Sequence, residues 1–256
     1  MSEPSPSLYG DQPVAPPPQA PGLMEQIAGV FTEPAALFAR LRTRPVWLPA
    51  LLLAVAISLV AMLIWASKVD MAEVTRHQME RMKDLFHLNI PDQAMDEAIA
   101  KAEGKKPWLS AVSTALLATP FVYLIVALIV WAFAAMGTED GEESPTFGQA
   151  FSLTSVHYLV TLPSMLLGGV IALLRPVGGQ NIQQLMPTVL GFYLSPESTL
   201  ARGLVALVDP LWILSFVVLA IGMRHTLRTR TWAIGACLGV FAFFGGAFRI
   251  LGGLFQ

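Results

Sequence analysis

The chain has 256 residues, 54% apolar and only 13% charged, against roughly 25% charged in an ordinary soluble domain. With a mean hydropathy of +0.59 and a net charge of −2, much apolar surface must face something other than water. There is also no bulk electrostatic attraction to nucleic acid. The single cysteine, Cys237, excludes an internal disulfide, and His77, His87, His157 and His225 lack ligand spacing, so no metal or other cofactor is expected.

Residues 1–22, MSEPSPSLYGDQPVAPPPQAPG, carry seven prolines in the first 21 positions. Such a stretch favours an extended, disordered tail that buries no core. It has neither a basic opening nor an early apolar run, so it does not read as a cleavable signal peptide. Residues 23–256 read as one all-α, multi-pass membrane domain. From Gly29 to Leu41, the apolar set Val30, Phe31, Ala35, Leu37, Phe38 and Leu41 predicts a short amphipathic helix on the membrane surface.

The first crossing is predicted over 46–66, 21 residues without a charge. At about 1.5 Å per residue it spans roughly 31 Å, matching a hydrocarbon core of about 30 Å. Trp47 and Trp65 stand near its ends, where amphipathic rings prefer the interface. Lys68 to Pro107 is polar with helical periodicity, broken at Asn89-Ile90-Pro91, and predicts an extramembrane helical hairpin. Further crossings are predicted over 109–136, 147–174, 203–223 and 232–251, making a bundle of about five. Pro120 and Pro163 each remove a backbone donor and predict kinks.

An N-inside orientation puts Arg40, Arg42, Arg44, Arg224, Arg228 and Arg230 in the cytoplasm. The arginine-dense link His225–Thr231 supports it. The same orientation leaves nine basic residues outside against six inside, although eight acids interleave with seven of those nine in the first large loop. The expectation is a cytoplasmic N-terminus and an outside C-terminus.

Ionisable groups at membrane depth are costly, and so are usually paired or functional. Asp209 lies in LVALVDPLWILSF, about 9 Å into the fourth crossing by the helical rise. Arg249 lies in GGAFRIL of the fifth, toward the same side if the two helices are antiparallel. Two readings stand together at this stage: an ion pair, or separate capping by Asp209 and snorkelling by Arg249. His157 and Tyr158 share the third crossing with Ser152, Thr154 and Ser155. That cluster reads as interhelical hydrogen-bond glue or, alternatively, as part of a proton or solute path. Helix five carries Gly235, Gly239, Ala242 and Gly246, a packing face. No HExxH, Gly-x-Ser-x-Gly or phosphate-cradling Gly-x-x-x-x-Gly-Lys is present, so no catalytic residue is assigned and no enzyme activity is expected.

The stretches FTEPAALFARLRTRPVWLPALLLAV, TFGQAFSLTSVHYLVTLP and VALVDPLWILSFVVLAIGM resemble the bacterial branch of the Yip (Ypt-interacting protein) membrane family. In that family an Asp opens a helix ending in a small-residue-plus-Gly step, and Asp209, Trp212 and Gly222 match those positions. The resemblance covers roughly Met24 to Gln256. It implies five crossings, a cytoplasmic N-terminus and, for eukaryotic members, membrane trafficking and small-GTPase association. The Asp-Leu-Tyr-Gly motif of those members is not evident, so GTPase binding is not carried over. The expected role is a non-enzymatic interaction or membrane-organising factor in the bacterial plasma membrane. Its partners would be the lipid bilayer and an unidentified membrane protein, with a homo-oligomer allowed and nucleic acid not expected. The alternative is a small transporter or channel component whose polar path is lined by Asp209, Arg249 and His157.

Overall fold

The computed structural model describes residues 19–104, 106–180, 185–190, 193–194, 201, 204–205 and 207–254, the side chains of 85 and 252–254 excepted. Most of the proline-rich tail and about half of the connection after Arg175 lie outside the described residues.

Helix α1 (Leu23–Thr32) and helix α2 (Pro34–Thr43) open the domain. The sequence predicts one surface helix here; Pro34 divides it, because proline suits the first turn of a helix and not its interior. The Glu25 carboxylate accepts from the Gly22 N–H at 2.9 Å and pairs with Arg40 at 3.1 Å, contacts that hold its pKa below the ordinary value. Helix α2 keeps Ala35, Ala36 and Ala39 exposed and turns its opposite, apolar face inward. Phe38 and Leu41 are fully buried among Leu153, Leu219 and Met223, at the centre of the main core.

Helix α3 (Leu48–Ala66) follows, then α4 (Met71–Phe86) and α5 (Asp92–Glu103), which pack on each other and are largely exposed. Asp70 caps α4, accepting from the N–H groups of Ala72 and Glu73. Helix α6 (Pro107–Ser113) runs through a π-type turn (Thr114–Ala118) into α7 (Thr119–Met136). The disturbance expected at Pro120 takes this form: Pro120 has no N–H to donate four residues back, and the ladder widens just before it.

Helix α8 (Phe147–His157), a 3₁₀ turn (Tyr158–Val160) and α9 (Leu162–Leu174) make one bent pair, with 44° between its halves. Pro163, in the first turn of α9, has no N–H to donate four residues back to Leu159, so the helical ladder breaks just before it. Helix α10 (Pro210–Thr226) and α11 (Thr231–Leu254) complete the chain. By length and composition, three helical stretches among the described residues suffice to cross a membrane: Leu48–Ala66, Pro107–Met136 and Thr231–Leu251. The bent pair makes a fourth if counted as one span. Helix α10 is apolar but only 17 residues long, about 26 Å, and starts at Pro210 rather than at the expected residue 203.

Small residues face inward. Ala50, Ala54, Ser58 and Ala61 form the buried stripe of α3, and Ala111, Ala115, Ala127 and Ala134 continue it on the α6–α7 rod. Leu52, Val60, Leu117, Phe121 and Leu128 point outward. Lipid is as apolar as leucine, so burying leucine between helices gains little. Close backbone approach over small residues supplies the packing instead. A Cβ on Gly169 would lie 3.3 Å from the Ala61 Cβ, which shows how closely α9 approaches α3.

Polar links gather at two ends of the bundle. At one, Arg42 pairs with Glu142, Arg224 with Glu139, Arg230 with Asp140, and Arg228 lies 3.8 Å from Glu142. The Thr226 hydroxyl donates to the Phe38 carbonyl, and the Gln149 amide to the Arg42 carbonyl, each at 2.8 Å. At the other end, Asp70 N–H donates to Gly178 O, and the Trp65 indole N–H to Gln180 O, each at 2.9 Å. Helix α3, about 28 Å long, separates the two ends.

Candidate functional site

Asp209 stands immediately before Pro210, the first residue of α10, with extended backbone. Proline needs no N–H partner at a helix start, and the carboxylate Oδ1 accepts from Leu211 N–H at 3.1 Å. The apolar run from residue 203 predicts Asp209 about 9 Å inside a crossing; the helix begins only at Pro210, and Asp209 takes the capping role that was one of its two expected roles. Its side chain is only 5% exposed, and Oδ2 accepts from Arg249 Nη2 at 3.0 Å. Capping and pairing therefore coexist, because the two carboxylate oxygens serve different donors.

Arg249 reaches Asp209 from the last turns of α11, its guanidinium carbon 4.8 Å from the centre of the Trp212 ring. Such a cation over an indole face gains electrostatic attraction when desolvated. Gly245 makes the arrangement possible. A Cβ there would lie 3.3 Å from the Trp212 ring, so only glycine lets the indole lie against α11 without displacement. The sequence separates Trp212 from Arg249 by 37 positions; only the antiparallel packing of α10 and α11 stacks them.

The pair lines a cavity of about 540 Å³. Its other walls include Thr114 and Ala118 of the π-type turn, Tyr123 and Val122 of α7, Tyr158 and Thr161 at the bend, and Ser58 of α3. Tyr123 and Tyr158 stack with ring centroids 4.4 Å apart. Neither phenol hydroxyl has a hydrogen-bond partner among the described residues, although tyrosines this enclosed ordinarily find one. The backbone irregularities at Pro120 and Pro163 both open onto this space. The sequence predicts them as kinks and singles out Tyr158 only with His157; it gives no role to Tyr123, for which a polar-tipped residue one turn from a proline within an apolar run was the available signal.

His157 does not join this site. It is 4% exposed on α8, with Nδ1 3.0 Å from the Thr154 carbonyl oxygen. A carbonyl can only accept, so Nδ1 carries the proton in this contact. Nor is the neighbouring cluster interhelical glue. Ser152 donates to Gly148 of its own helix at 2.8 Å, while Thr154 Oγ1 and Ser155 Oγ are buried without partners among the described residues. These side chains serve as small packing surfaces. A Cβ on Gly222 of α10 would lie 2.9 Å from Leu153 of α8, so α8 and α10 meet with no space to spare.

Among the described residues no cluster of three His, Cys, Asp or Glu side chains is arranged to hold a metal. Comparison with the curated proteins and with solved structures returns no match. The family model for the Yip1 domain matches residues 28–251, nearly the whole chain, including Asp209, Trp212, Gly222 and Arg249. An all-helical membrane bundle matched over that length belongs to the Yip1 domain family.

Proposed function

We propose that this protein is a non-enzymatic, five-crossing membrane protein that acts as an interaction or membrane-organising factor. Its home in this reading is the bacterial plasma membrane, with the N-terminus in the cytoplasm and α4–α5 as an extramembrane hairpin. The observation carrying the role is the polar platform at one end of the apolar bundle. Three separate chain segments there are fixed to one another by Arg42–Glu142, Arg224–Glu139 and Arg230–Asp140. A rigid polar surface presented at a membrane face loses little conformational entropy on binding, which suits a protein partner. The alternation of ends supports five crossings, with α10 spanning a locally thin region near Asp209. The six arginines at the platform end support its cytoplasmic side.

Residue-specific photo-crosslinking from the platform in native membranes, followed by pull-down of the full chain, tests the reading. A reproducible membrane-protein partner, lost when Glu139, Asp140 and Glu142 are neutralised together, is expected. Enrichment no different from that of an unrelated multi-pass protein would defeat it, as would stoichiometric covalent labelling of a serine by activity-based probes. The transport alternative finds less support, because His157 lies away from the cavity that Asp209 and Arg249 line.

A further inference from the structure

The cavity beside Asp209 joins features that a packed bundle does not need. A guanidinium and a carboxylate lie side by side at its edge. Two stacked tyrosines line it with unpartnered hydroxyls. A π-type turn, a distortion often found at functional sites, forms another wall. At about 540 Å³ it falls within the roughly 300–1,000 Å³ of small-molecule sites. Its rim includes Val122 and Phe248, 47% and 74% exposed on the outer surface of membrane helices, so it opens sideways toward lipid.

Depth narrows the occupant further. Asp209 is about 26 Å along α10 from Thr226, at the platform end, against a hydrocarbon core of about 30 Å. The charge pair therefore sits where the headgroups of the far leaflet begin. We propose that this cavity binds a single phospholipid with a zwitterionic amino-phosphate headgroup, taken laterally from that leaflet.

Charge chemistry selects the class. The Asp209–Arg249 pair is neutral overall, so a net anionic headgroup would bring an uncompensated charge into a poorly solvated site. A zwitterion brings none. Its phosphate accepts from the guanidinium, which has five N–H donors in a planar fork. Its ammonium donates to the Asp209 carboxylate, which has about four acceptor positions, two of them used by Leu211 N–H and Arg249. A quaternary ammonium, with no N–H, cannot make that bond. Phosphoethanolamine lipid is thus favoured over phosphocholine lipid, and the apolar cavity wall accommodates the first part of the acyl chains.

This inference rests on the crossing of α10 proposed above and not on the platform's partner, so the crosslinking experiment can fail while it stands, and the reverse. The test is native mass spectrometry of the full chain, stripped in detergent and titrated with phosphoethanolamine, phosphocholine or phosphoglycerol lipids of identical chains. One phosphoethanolamine lipid should be retained with at least tenfold preference over each of the others. D209N should lower that preference at least fivefold. A118F, which fills the cavity and leaves the charge pair intact, should abolish retention while the protein still melts cooperatively. Equal retention of all three lipids would overturn the proposal, as would undiminished preference in folded A118F. Equal binding of soluble glycerophosphoethanolamine would overturn the lipid as occupant.

Discussion

At Asp209 two interactions share one carboxylate, and substitutions separate them. Asparagine caps a helix about as well as aspartate, so Asp209→Asn removes the charge and keeps the cap. Removing one partner of a buried pair costs about 3–5 kcal/mol, but Arg249 retains some exposure, so about 2 kcal/mol is expected for Asp209→Asn or Arg249→Gln. The double mutant should be less damaged than the sum of the two, and Asp209→Ala should cost about 1 kcal/mol more than Asp209→Asn. Thermal melts in detergent read all four; strict additivity would remove the pair from the stabilising interactions. Gly137 offers a sharper steric test. A Cβ there would lie 2.2 Å from the Ala233 Cβ, and an alanine methyl cannot rotate aside. Gly137→Ala must push the start of α11 away from the end of α7, at about 1–3 kcal/mol, a typical overpacking cost.

Between elements, the platform is held by charge where the bundle is held by shape. The acidic linker after α7 and the arginine-dense link after α10 are remote in sequence, yet Glu139 N–H donates to Arg228 O and Arg230 N–H to Gly137 O. These backbone bonds fix the two links side by side, and the ion pairs follow from their composition. Glu142 faces both Arg42 and Arg228, so Glu142→Gln loses two attractions at once. Partly exposed pairs are individually weak, so about 1 kcal/mol is expected at low salt. In 1 M salt, where the screening length is about 3 Å, most of the difference should vanish. An unchanged difference across that range would mean that Glu142 acts through packing. The helix breaks obey local chemistry: Pro34, Pro120 and Pro163 each interrupt the ladder, but the outcome is a separation, a π-type turn and a 44° bend respectively. The neighbouring helices decide which.

For the whole molecule, the N-terminal helices and the C-terminus lie toward opposite ends of α3 if every apolar helix crosses, including the short α10. Reporter fusions after Gln19, after Lys106 and at Gln256 are expected to read cytoplasmic, outside and outside. A cytoplasmic signal at both Gln19 and Gln256 would require an even number of crossings and would leave α10 as a half-crossing element that stops at Asp209. Its 17 residues make it the element on which the count turns.

What the sequence determined by itself follows from composition and period. Twenty uncharged apolar residues admit few environments other than a bilayer, so membrane residence, the long helices α3 and α6–α7, and the family resemblance were legible without coordinates. The same logic placed a break at Asn89-Ile90-Pro91, and α4 ends at Phe86 and α5 begins at Asp92 on either side of it. Tertiary structure decided everything that depends on which faces meet. It turned the apolar face of α2 onto the core, although Phe38 and Leu41 would equally suit a membrane surface, because α8 and α10 leave room for them there. It made Asp209 both cap and partner, since hydropathy alone runs a crossing through residues 203–209 where the helix begins only at Pro210. It left His157 bonded within its own helix and brought Tyr123, Tyr158, Trp212 and Arg249 around one cavity. Hydrophobic pattern states that a segment is buried in lipid or protein; only packing distinguishes the two, because in a membrane both surroundings are equally apolar.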